Sequence, residues 1–347
     1  MTKERILVTG GGGQIGTALS AALREQHGED NVIVSDIKQP SSSQRLRPAP
    51  AYQTESGREV QSSRPQHEKR GRFVMLDILN TQRMAEIIDD YKITQIYHLA
   101  AILSATGEWM PEKTWNVNLN AVLELFNLCR EKGIKKFFFP STIAVFGHTT
   151  PKDNTPQHTS LEPSTVYGMS KLAGELWSQY YWNRYQFDIR SIRFPGIISH
   201  ETLPGGGTTD YAVDIFYEAI KNGRYTCFLK EDTYLPMIYM PDAIRSCLDI
   251  MNAPAEDIKV RTSYNLGSLS FSPAELTREI QTLQPDFSID YEPDYRQAIA
   301  DSWPSSIDDS AARADWGWQP EYNLKAMTRD MMVNLERKLG KPNGVAL

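Results

Sequence analysis

The stretch Val8-Thr9-Gly10-Gly11-Gly12-Gly13-Gln14-Ile15-Gly16 decides the fold of this chain. It continues the apolar run Ile6-Leu7-Val8 and opens an amphipathic stretch over 14–24, which predicts a strand, a tight turn and a helix. The first amide N–H groups of a helix have no intrahelical partners, and the helix dipole places partial positive charge beside them. The stretch therefore predicts an anion site, although four consecutive glycines also occur in flexible loops.

Three glycines of this stretch have the spacing of a dinucleotide-binding turn. The first, Gly10, would allow the tight turn, and Gly13 would let phosphates approach the backbone. The third, Gly16, would let the helix pack closely on the strand. The residues predicted to hold a cofactor at this turn are Gly10, Gly13, Gln14, Ile15 and Gly16.

A carboxylate follows the next predicted strand. Val32-Ile33-Val34 indicates that strand, and Asp36 lies 20 residues after Gly16. An acid at this distance can accept hydrogen bonds from the adenosine ribose hydroxyls, and it would repel a 2′-phosphate. Asp36 therefore favours NAD over NADP, although Lys38 weakens this inference slightly because it lies only two residues further on.

The composition is typical of a globular protein. The chain has 347 residues, of which 40% are hydrophobic and 23% charged, and it can form one large α/β domain with a smaller lobe. Its net charge of −6 gives no general reason to expect nucleic-acid binding. No apolar stretch of the sequence is long enough to predict a membrane span.

The cysteines and histidines predict no metal site. The three cysteines are far apart in sequence, which is typical of buried thiols in a reducing compartment rather than of zinc ligands. The six histidines show no i,i+4 pairing and have no cysteine neighbours. These residues are Cys129, Cys227, Cys247, His27, His67, His98, His148, His158 and His200.

Residues 41–72 differ from the rest of the chain. They are rich in Ser, Arg, Gln and Pro, and they include seven basic and three acidic residues. Such a composition buries too little apolar area to become ordered, so it predicts a mobile basic surface insertion. The alternative is a docking or regulatory loop near the adenosine end of the cofactor site.

Strand-like and helix-like runs alternate after this insertion. Thr81 is a candidate cap for the first of the helices, and Gly133 would close the second. The alternation predicts an α/β fold, a doubly wound parallel sheet of Rossmann type with a smaller C-terminal substrate lobe. The predicted strands are 73–76, 96–99, 136–140 and 189–193, and the predicted helices are 81–90, 115–131, 166–184 and 211–221.

The domain boundaries follow from this alternation. The Rossmann domain, which binds NAD, is predicted over 1–192, and parts of 211–267 are expected to return to it. The substrate lobe is predicted over 193–210 and 268–347, where the pattern is looser and richer in Pro and Trp. Such a lobe would pack over the carboxyl ends of the strands, where open α/β sheets bind ligands.

Tyr167 and Lys171 are spaced i,i+4 near the start of a predicted helix, so both side chains lie on one face. A phenol is a poor base near neutral pH, but a neighbouring ammonium group lowers the phenol pKa. The positive nicotinamide of an oxidised cofactor would act in the same direction. This pair predicts a base that takes a hydroxyl proton as hydride leaves the same carbon, although the spacing alone is common by chance.

Two hydroxyl side chains follow a Phe-rich predicted strand. Ser141 and Thr142 come directly after Lys136-Phe137-Phe138-Phe139-Pro140 and are expected to face the substrate pocket. A hydroxyl bonded to the reacting oxygen would orient it and stabilise developing charge. The alternative is a strand-end turn in which both hydroxyls bond backbone groups.

Together these motifs resemble the extended short-chain dehydrogenase/reductase family along nearly the whole chain. They occur in the order that is typical of the family. The motifs that carry the resemblance are Thr9-Gly10-x-x-Gly13-x-x-Gly16, Asp36, Asp77-Ile78, His98-Leu99-Ala100-Ala101, Ser141-Thr142, Tyr167-x-x-x-Lys171 and Asp315-Trp316-Gly317-Trp318-Gln319-Pro320.

The resemblance implies NAD as the cofactor. It places Asp77 near the adenine amine and gives Asn118 a largely structural role. Ala121 stands where the family usually has Gly, a departure that we interpret as tolerated. The further cofactor contacts implied by the resemblance are Asp77, Ile78, Leu99, Ala100, Tyr167, Lys171 and Ile197.

Four segments are similar to those of the short-chain L-threonine 3-dehydrogenases within this family: Leu103-Ser104-Ala105, 193–199, 205–212 and 296–304. The similarity implies that NAD⁺ oxidises the C3 hydroxyl of L-threonine to 2-amino-3-oxobutyrate. Tyr167 would be the base, Lys171 would lower its pKa and hold the nicotinamide ribose, and Thr142 with Ser141 would bond the substrate oxygen. The implied substrate-binding residues are Ser104, Thr142, Tyr167, Thr208, Thr209 and Trp303, where Trp303 has the alternative of a packing role and Gly205-Gly206-Gly207 suits a lid.

Two other functions remain open. A nucleotide-sugar epimerase or dehydratase shares the fold, the cofactor and the Tyr/Lys pair, but such enzymes resemble one another in an Arg-x-x-Asn segment, and here Gly196 follows Arg193-x-x. A non-catalytic NAD-sensing protein is the second alternative, and the intact Tyr167, Lys171 and Thr142 argue against it.

The resemblance also implies an assembly and a compartment. The helices predicted over 115–131 and 166–184 carry apolar residues on more than one face, and such helices pair in this family into a four-helix bundle across a two-fold axis. We therefore expect a homodimer. Eukaryotic members that resemble this chain are mitochondrial, which implies a mitochondrial location, with the cytoplasm as the alternative.

Overall fold

The computed structural model describes residues 4–39, 72–202 and 207–340. The predicted insertion over 41–72, apart from Arg72, and the lid glycines Gly205 and Gly206 lie outside these residues. In chain order the strands are β1 Ile6–Thr9, β2 Val32–Asp36, β3 Phe73–Met75, β4 Gln95–His98, β5 Lys136–Thr142, β6 Asp188–Phe194, β7 Gly196–Ile198, β8 Arg224–Cys227, β9 Leu235–Tyr239, β10 Tyr264–Asn265, β11 Leu269–Phe271 and β12 Ser288–Tyr291.

The helices alternate with these strands. In chain order they are α1 Gln14–His27, α2 Thr81–Tyr91, α3 Ser104–Trp109, α4 Pro111–Trp115, α5 Ala121–Glu131, α6 Val166–Tyr185, α7 Tyr211–Asn222, α8 Met240–Asn252, α9 Pro273–Leu283, α10 Arg296–Ala300, α11 Ser310–Trp316 and α12 Leu324–Leu339. Short 3₁₀ turns cover Glu29–Asn31 and Ile143–Val145. No helix within the described ranges is both long and apolar enough to cross a membrane.

A seven-stranded parallel sheet organises the larger part of the molecule. Its strand order is β10-β6-β5-β4-β1-β2-β3, and every neighbouring pair is parallel. The predicted α/β class with a Rossmann-type sheet is confirmed. The strand order reverses beside β1, which lies between β2 and β4, and ligands of open α/β sheets bind outside the carboxyl ends at such a point.

The predicted strands and helices are found near their predicted positions, with two corrections. Asn80, not Thr81, caps α2, because its side-chain oxygen accepts a hydrogen bond from the Arg83 N–H at 2.9 Å. The helix predicted over 115–131 begins earlier, at Pro111, and a π-helical turn over Asn116–Asn120 interrupts it. The π-turn adds one residue to the helical repeat at this point.

Apolar side chains of two clusters cover the two faces of the main sheet, and a third cluster fills the smaller lobe. That lobe contains the sheet β11-β9-β7, the pair β12-β8, and helices α7, α9 and α12. Strand β10 pairs with β6, and α8 packs on α1 beside the main sheet.

The predicted extent of the substrate lobe is too large. Ala312 and Trp318 are buried in the main-sheet core, together with residues of α1 and α8. The Trp318 indole N–H donates to the carbonyl oxygen of Gly267 at 2.9 Å, and the Arg245 guanidinium of α8 lies over its ring. Residues 310–318 therefore return to the Rossmann domain, and the lobe does not comprise all of 268–347.

Candidate active site

The glycine turn between β1 and α1 is built as the sequence predicts. Gly10 has φ +72°, a conformation that strongly favours glycine. A Cβ at this position would lie 2.6 Å from the amide nitrogen of Ala100, which follows β4. The close approach of this backbone therefore also requires a glycine at position 10. A Cβ at Gly16 would overlap the carbonyl oxygen of Gly10, which explains why α1 can start so close to β1.

The start of α1 fits the phosphates of a dinucleotide. Thr17 donates the first intrahelical hydrogen bond, to the Gly13 carbonyl oxygen, so the amides of Gln14, Ile15 and Gly16 precede the helical ladder. Gly13 is the N-cap and brings no capping side chain. A Cβ added at Gly13 would meet only the Gly10 oxygen, at 3.3 Å, which leaves a cradle that phosphates can fill.

Asp36 lies at the end of β2 beside this turn. Its carboxylate accepts hydrogen bonds from the amides of Gly12, at 2.9 Å, and Lys38, at 3.2 Å. The acid is thus fixed next to the glycine turn, at the position where a ribose would be bound.

The other cofactor residues implied by the resemblance lie around the same edge of the sheet. Leu99 and Ala100 follow β4, and the Leu99 amide donates to the Thr9 carbonyl oxygen at 2.9 Å. Asp77 and Ile78 follow β3, with Asp77 exposed. Ile197 lies in β7, directly after β6. These side chains border the strand ends where the dinucleotide would lie.

Tyr167 and Thr142 meet at the carboxyl edge of the sheet. Thr142 ends β5, and Tyr167 lies in the first turn of α6. Burial raises the pKa of the Tyr167 phenol to about 12, although a hydrogen bond with the Thr142 side chain lowers this pKa. The two hydroxyls can therefore share one small oxygen-bearing ligand.

Lys171 lies beneath this pair and is almost completely buried. Its ammonium nitrogen donates to the Pro140 carbonyl oxygen at 2.8 Å and lies 5.8 Å from the centre of the Tyr167 ring. Burial lowers the Lys171 pKa to about 7. Burial is the largest cause of the raised phenol pKa, and the expectation that Lys171 lowers this pKa stays a prediction for the enzyme with its cofactor.

His98 belongs to the site, although the sequence analysis gave it no role. Its Nδ1 lies 2.9 Å from the Thr9 hydroxyl, while its Nε2 is buried without a hydrogen-bond partner among the described residues. Burial, helped by the charge of Lys171, lowers the His98 pKa to about 3. His98 is thus a neutral support beneath the ends of β1 and β4.

The contacts of Ser141 do not support its predicted role in binding the substrate oxygen together with Thr142. Successive side chains of a strand point to opposite faces, and Ser141 therefore points away from the direction of Thr142. Its buried hydroxyl donates to Glu175 of α6 at 2.5 Å. Glu175 also forms a buried ion pair with Arg193 at 2.7 Å, so this network ties β5, α6 and β6 together.

Glu108 fixes the start of the helix that carries Tyr167. Its carboxylate accepts a hydrogen bond from the Val166 amide at 2.9 Å, and the Thr165 hydroxyl accepts one from Gly168. Glu108 lies in α3, whose first residue is the predicted substrate residue Ser104. The sequence offered no local signal for this contact, because 58 residues separate its two partners.

The segment before α7 packs against the start of β7. Thr209 lies so near to Gly196 that a Cβ on this glycine would be 2.7 Å from the Thr209 side chain and 2.5 Å from the Met237 sulfur. A larger residue at 196 therefore has no space. Thr208 is buried beside Thr209 at the start of this segment.

Trp303 approaches the site from the smaller lobe. It packs against that lobe's core and also against the cluster of Ile143, Val145 and Phe146, which directly follows Thr142. Trp303 can therefore pack in the smaller lobe and also lie near Thr142, so the contacts allow both of its predicted roles.

Known proteins that are similar to this chain identify its family. A family model described as the NAD dependent epimerase/dehydratase family matches residues 6–267. The chain belongs to this family. A curated member, an uncharacterized epimerase/dehydratase of Staphylococcus haemolyticus, is 43% identical over 336 residues, or 96% of this chain and 98% of that relative.

Two solved structures of the family are similar over almost the whole chain. A holo GalE-like L-threonine dehydrogenase from Cupriavidus necator is 49% identical with a TM-score of 0.85, covering 95% of this chain and 99% of its own. A monomeric L-threonine 3-dehydrogenase from a metagenome is 43% identical with a TM-score of 0.85, covering 96% and 99%. The predicted resemblance is confirmed, and this family member is an NAD-dependent enzyme of the oxidoreductase/epimerase type.

Proposed function

We propose that this enzyme oxidises the C3 hydroxyl of L-threonine to 2-amino-3-oxobutyrate, using NAD⁺. The observation that carries the proposal is the pairing of Tyr167 with Thr142 at the strand edge beside the glycine turn. The similar structures whose titles name L-threonine dehydrogenases support the choice of substrate. A zwitterion this small offers little apolar area, so binding must rely on directed polar contacts in a site that excludes water.

Tyr167 acts as the base in this proposal. The threonine hydroxyl donates its proton to the phenolate while Thr142 hydrogen-bonds the same oxygen and holds it in place. Lys171 is held by its hydrogen bond to the Pro140 carbonyl oxygen, which keeps its amine close to the Tyr167 ring. Bound NAD⁺ supplies the hydride acceptor and a positive charge that opposes the effect of burial on the phenol pKa.

The closed space at Gly196 argues against a nucleotide-sugar substrate. Nucleotide-sugar epimerases and dehydratases resemble one another in an Asn at the place of Gly196, and this Asn meets the nucleotide diphosphate. Here Thr209 and Met237 fill that space. The lack of space for an Asn side chain at residue 196 therefore favours an amino-acid alcohol over a nucleotide sugar.

The test is NADH absorbance after mixing the protein with NAD⁺ and each of three compounds. L-threonine should give NADH continuously, L-serine should give much less, and UDP-glucose should give none. NADH with L-threonine that exceeds the serine rate supports the proposal. Turnover of the nucleotide sugar without free NADH would support an epimerase, and binding of NAD⁺ with no turnover at all would support a sensor.

We further propose that the enzyme forms a homodimer through α4, α5 and α6. Helix α6 exposes four large apolar side chains whose spacings of seven, one and three residues place them on one side of the helix. Exposed stripes of this size are typical of protein interfaces. Its residues are Met169, Leu176, Trp177 and Tyr180, with Trp115 of α4 also exposed.

The mitochondrial location stays a prediction. The curated relative comes from a staphylococcus and does not support it. Fractionation of the source cells with an antibody to this chain would decide between a mitochondrial and a cytoplasmic location.

A further inference from the structure

Lys152 joins the two parts of the molecule. It lies in the 151–155 loop, which connects β5 to α6, and its ammonium group donates to the carbonyl oxygens of Asp301, at 2.8 Å, and Trp303, at 3.1 Å. These carbonyls follow the last turn of α10, where a helix end favours a positive charge. The side chain therefore holds the end of a helix that belongs to the smaller lobe.

The backbone of Lys152 strengthens the same connection. Its carbonyl oxygen accepts hydrogen bonds from the Ser305 amide at 2.9 Å, from the Ser306 amide at 3.2 Å and from the Ser305 hydroxyl at 2.9 Å. The Asp153 carboxylate also accepts a bond from the Ser305 hydroxyl, at 2.6 Å. The 151–155 loop and the 301–306 turn thus form a clamp between the Rossmann domain and the lobe.

The clamp sets the place of Trp303. This residue lies inside the 301–306 turn, and its ring packs on the cluster of Ile143, Val145 and Phe146 that follows Thr142. The Lys152 ammonium group donates a hydrogen bond to the Trp303 backbone carbonyl oxygen. Backbone bonds from Asn154 and Thr155 to Ser306 also hold this turn, and a shift of the turn would move the indole relative to Thr142.

We propose that Lys152 is a positioning residue that fixes Trp303 beside Thr142, where the indole limits the size of the group that a substrate can carry on its hydroxyl-bearing carbon. This inference rests on the proposed oxidation of L-threonine. Lys152 itself need not touch the substrate or the cofactor.

The test compares Lys152→Met with the wild type. The methionine keeps the apolar stem but removes the donor, so we expect the KM for L-threonine to rise by about 5- to 20-fold, the size expected for lost bonds of a charged donor. The preference for L-threonine over its larger homologue L-3-hydroxynorvaline should fall, while the NADH dissociation constant stays within about twofold because the glycine turn is not involved. Hydrogen exchange of peptides over 301–308 should become faster.

Three further variants make the result specific. Lys152→Arg keeps a charged donor and should restore most of the substrate preference. Ser305→Ala removes the two hydroxyl contacts to the 151–155 loop and should give a weaker change in the same direction. Lys132→Met is the matched control, because it removes a lysine whose ion pair with Asp89 lies at the exposed end of α5.

The outcomes separate this inference from the proposed function. A wild type that forms no NADH with L-threonine contradicts the proposed function. The hydrogen-exchange measurement needs no substrate, so it tests the clamp independently. Unchanged exchange over 301–308 in Lys152→Met contradicts the clamp. Faster exchange with an unchanged KM and an unchanged substrate preference contradicts the positioning role.

Discussion

At the scale of single residues, burial decides the chemistry of the site. The Tyr167 phenol has a raised pKa and the Lys171 ammonium a lowered one, and desolvation is the largest cause of both shifts. The phenol is therefore held mainly in its neutral form near neutral pH, Lys171 changes its charge in that pH range, and a positive cofactor favours the phenolate when it binds. The spacing of Tyr167 and Lys171 could be predicted from sequence, but the depth of their burial could not, since it depends on how α6 packs on β5.

Thr142 and Ser141 should respond differently to loss of their hydroxyls. Thr142→Val keeps the shape but removes the bond to Tyr167, so kcat should fall by about 10²-fold, the size expected for loss of one donor to a reacting oxygen. Ser141→Ala should leave kcat within about threefold but lower the free energy of unfolding by about 1–3 kcal/mol, because the buried Glu175 carboxylate loses a donor. Steady-state kinetics and urea unfolding of both variants check this. A larger kcat loss in Ser141→Ala than in Thr142→Val would contradict the assignment.

The low pKa of Lys171 gives stability a specific pH dependence. The unfolded chain holds the Lys171 proton up to the ordinary pKa of 10.5, whereas the folded protein releases it near 7. The unfolded state binds more protons in this window, so the free energy of unfolding contributed by Lys171 rises from pH 7 toward 10.5. The Lys171→Met variant should therefore have a larger free energy of unfolding than the wild type near pH 7, and this difference should shrink as pH increases. Urea midpoints of both proteins without cofactor, at several pH values, measure this difference, and a constant difference would speak against the shift.

At the scale of elements, α6 carries the proposed base Tyr167, and its packing fixes the distance of this residue to β5. A Cβ at Gly168 would overlap the Ala144 carbonyl oxygen and lie 2.8 Å from the Pro163 side chain. The helix start therefore rests directly on the 3₁₀ turn Ile143–Val145 that follows Thr142. This contact keeps Tyr167 beside Thr142.

Gly168→Ala should move the start of α6 away from that turn. A displacement of about 1 Å at a reacting group can lower the rate by about 10²-fold, so kcat should fall strongly while NADH binding changes little. Met169→Ala is the control, because Met169 is the next residue on the helix and is exposed. Equal kcat values for the two variants would show that the contact at Gly168 does not position the base.

The sequence predicts most elements because their signals are local. Glycine spacing, apolar runs and the Tyr/Lys pair each lie within one strand, turn or helix. The sequence does not predict the Asn80 cap because Asn80 and Thr81 are adjacent and both are favourable cap residues, and it does not predict the π-turn at Asn116–Asn120 because such a turn has no distinctive local sequence signal. Ser141 could have been placed correctly from strand alternation, since it lies next to Thr142 on β5.

At the scale of the whole molecule, the remaining features depend on contacts between distant parts of the chain. The Glu108 bond to α6 and the Lys152 clamp join segments that are 58 and about 150 residues apart, and no local pattern indicates either contact. The return of Trp318 to the main-sheet core is of the same kind. Local sequence patterns therefore predict the Rossmann-type sheet and the candidate residues Tyr167, Lys171 and Thr142, but not the long-range contacts that support them.

The proposed dimer can be tested on the exposed stripe of α6. The wild type should sediment at twice the chain mass of 39.4 kDa, and a Leu176→Glu, Trp177→Glu variant should sediment as a monomer because buried charges oppose association. Lys325→Glu, on α12, is the control for the added charge. The similar metagenome enzyme described as monomeric shows that dimers need not form in this group. A wild-type monomer at all concentrations would refute the dimer.

The central claim is that Tyr167 removes the hydroxyl proton while hydride leaves C3 of L-threonine. The most direct measurement uses L-[3-²H]threonine and NAD⁺ with the wild type and with Tyr167→Phe, followed by mass spectrometry of the reduced cofactor. We expect reduced cofactor that carries one deuterium from the wild type, and turnover lowered by about 10³-fold with intact NADH binding in Tyr167→Phe. Unlabelled reduced cofactor, or full turnover in Tyr167→Phe, would contradict the account.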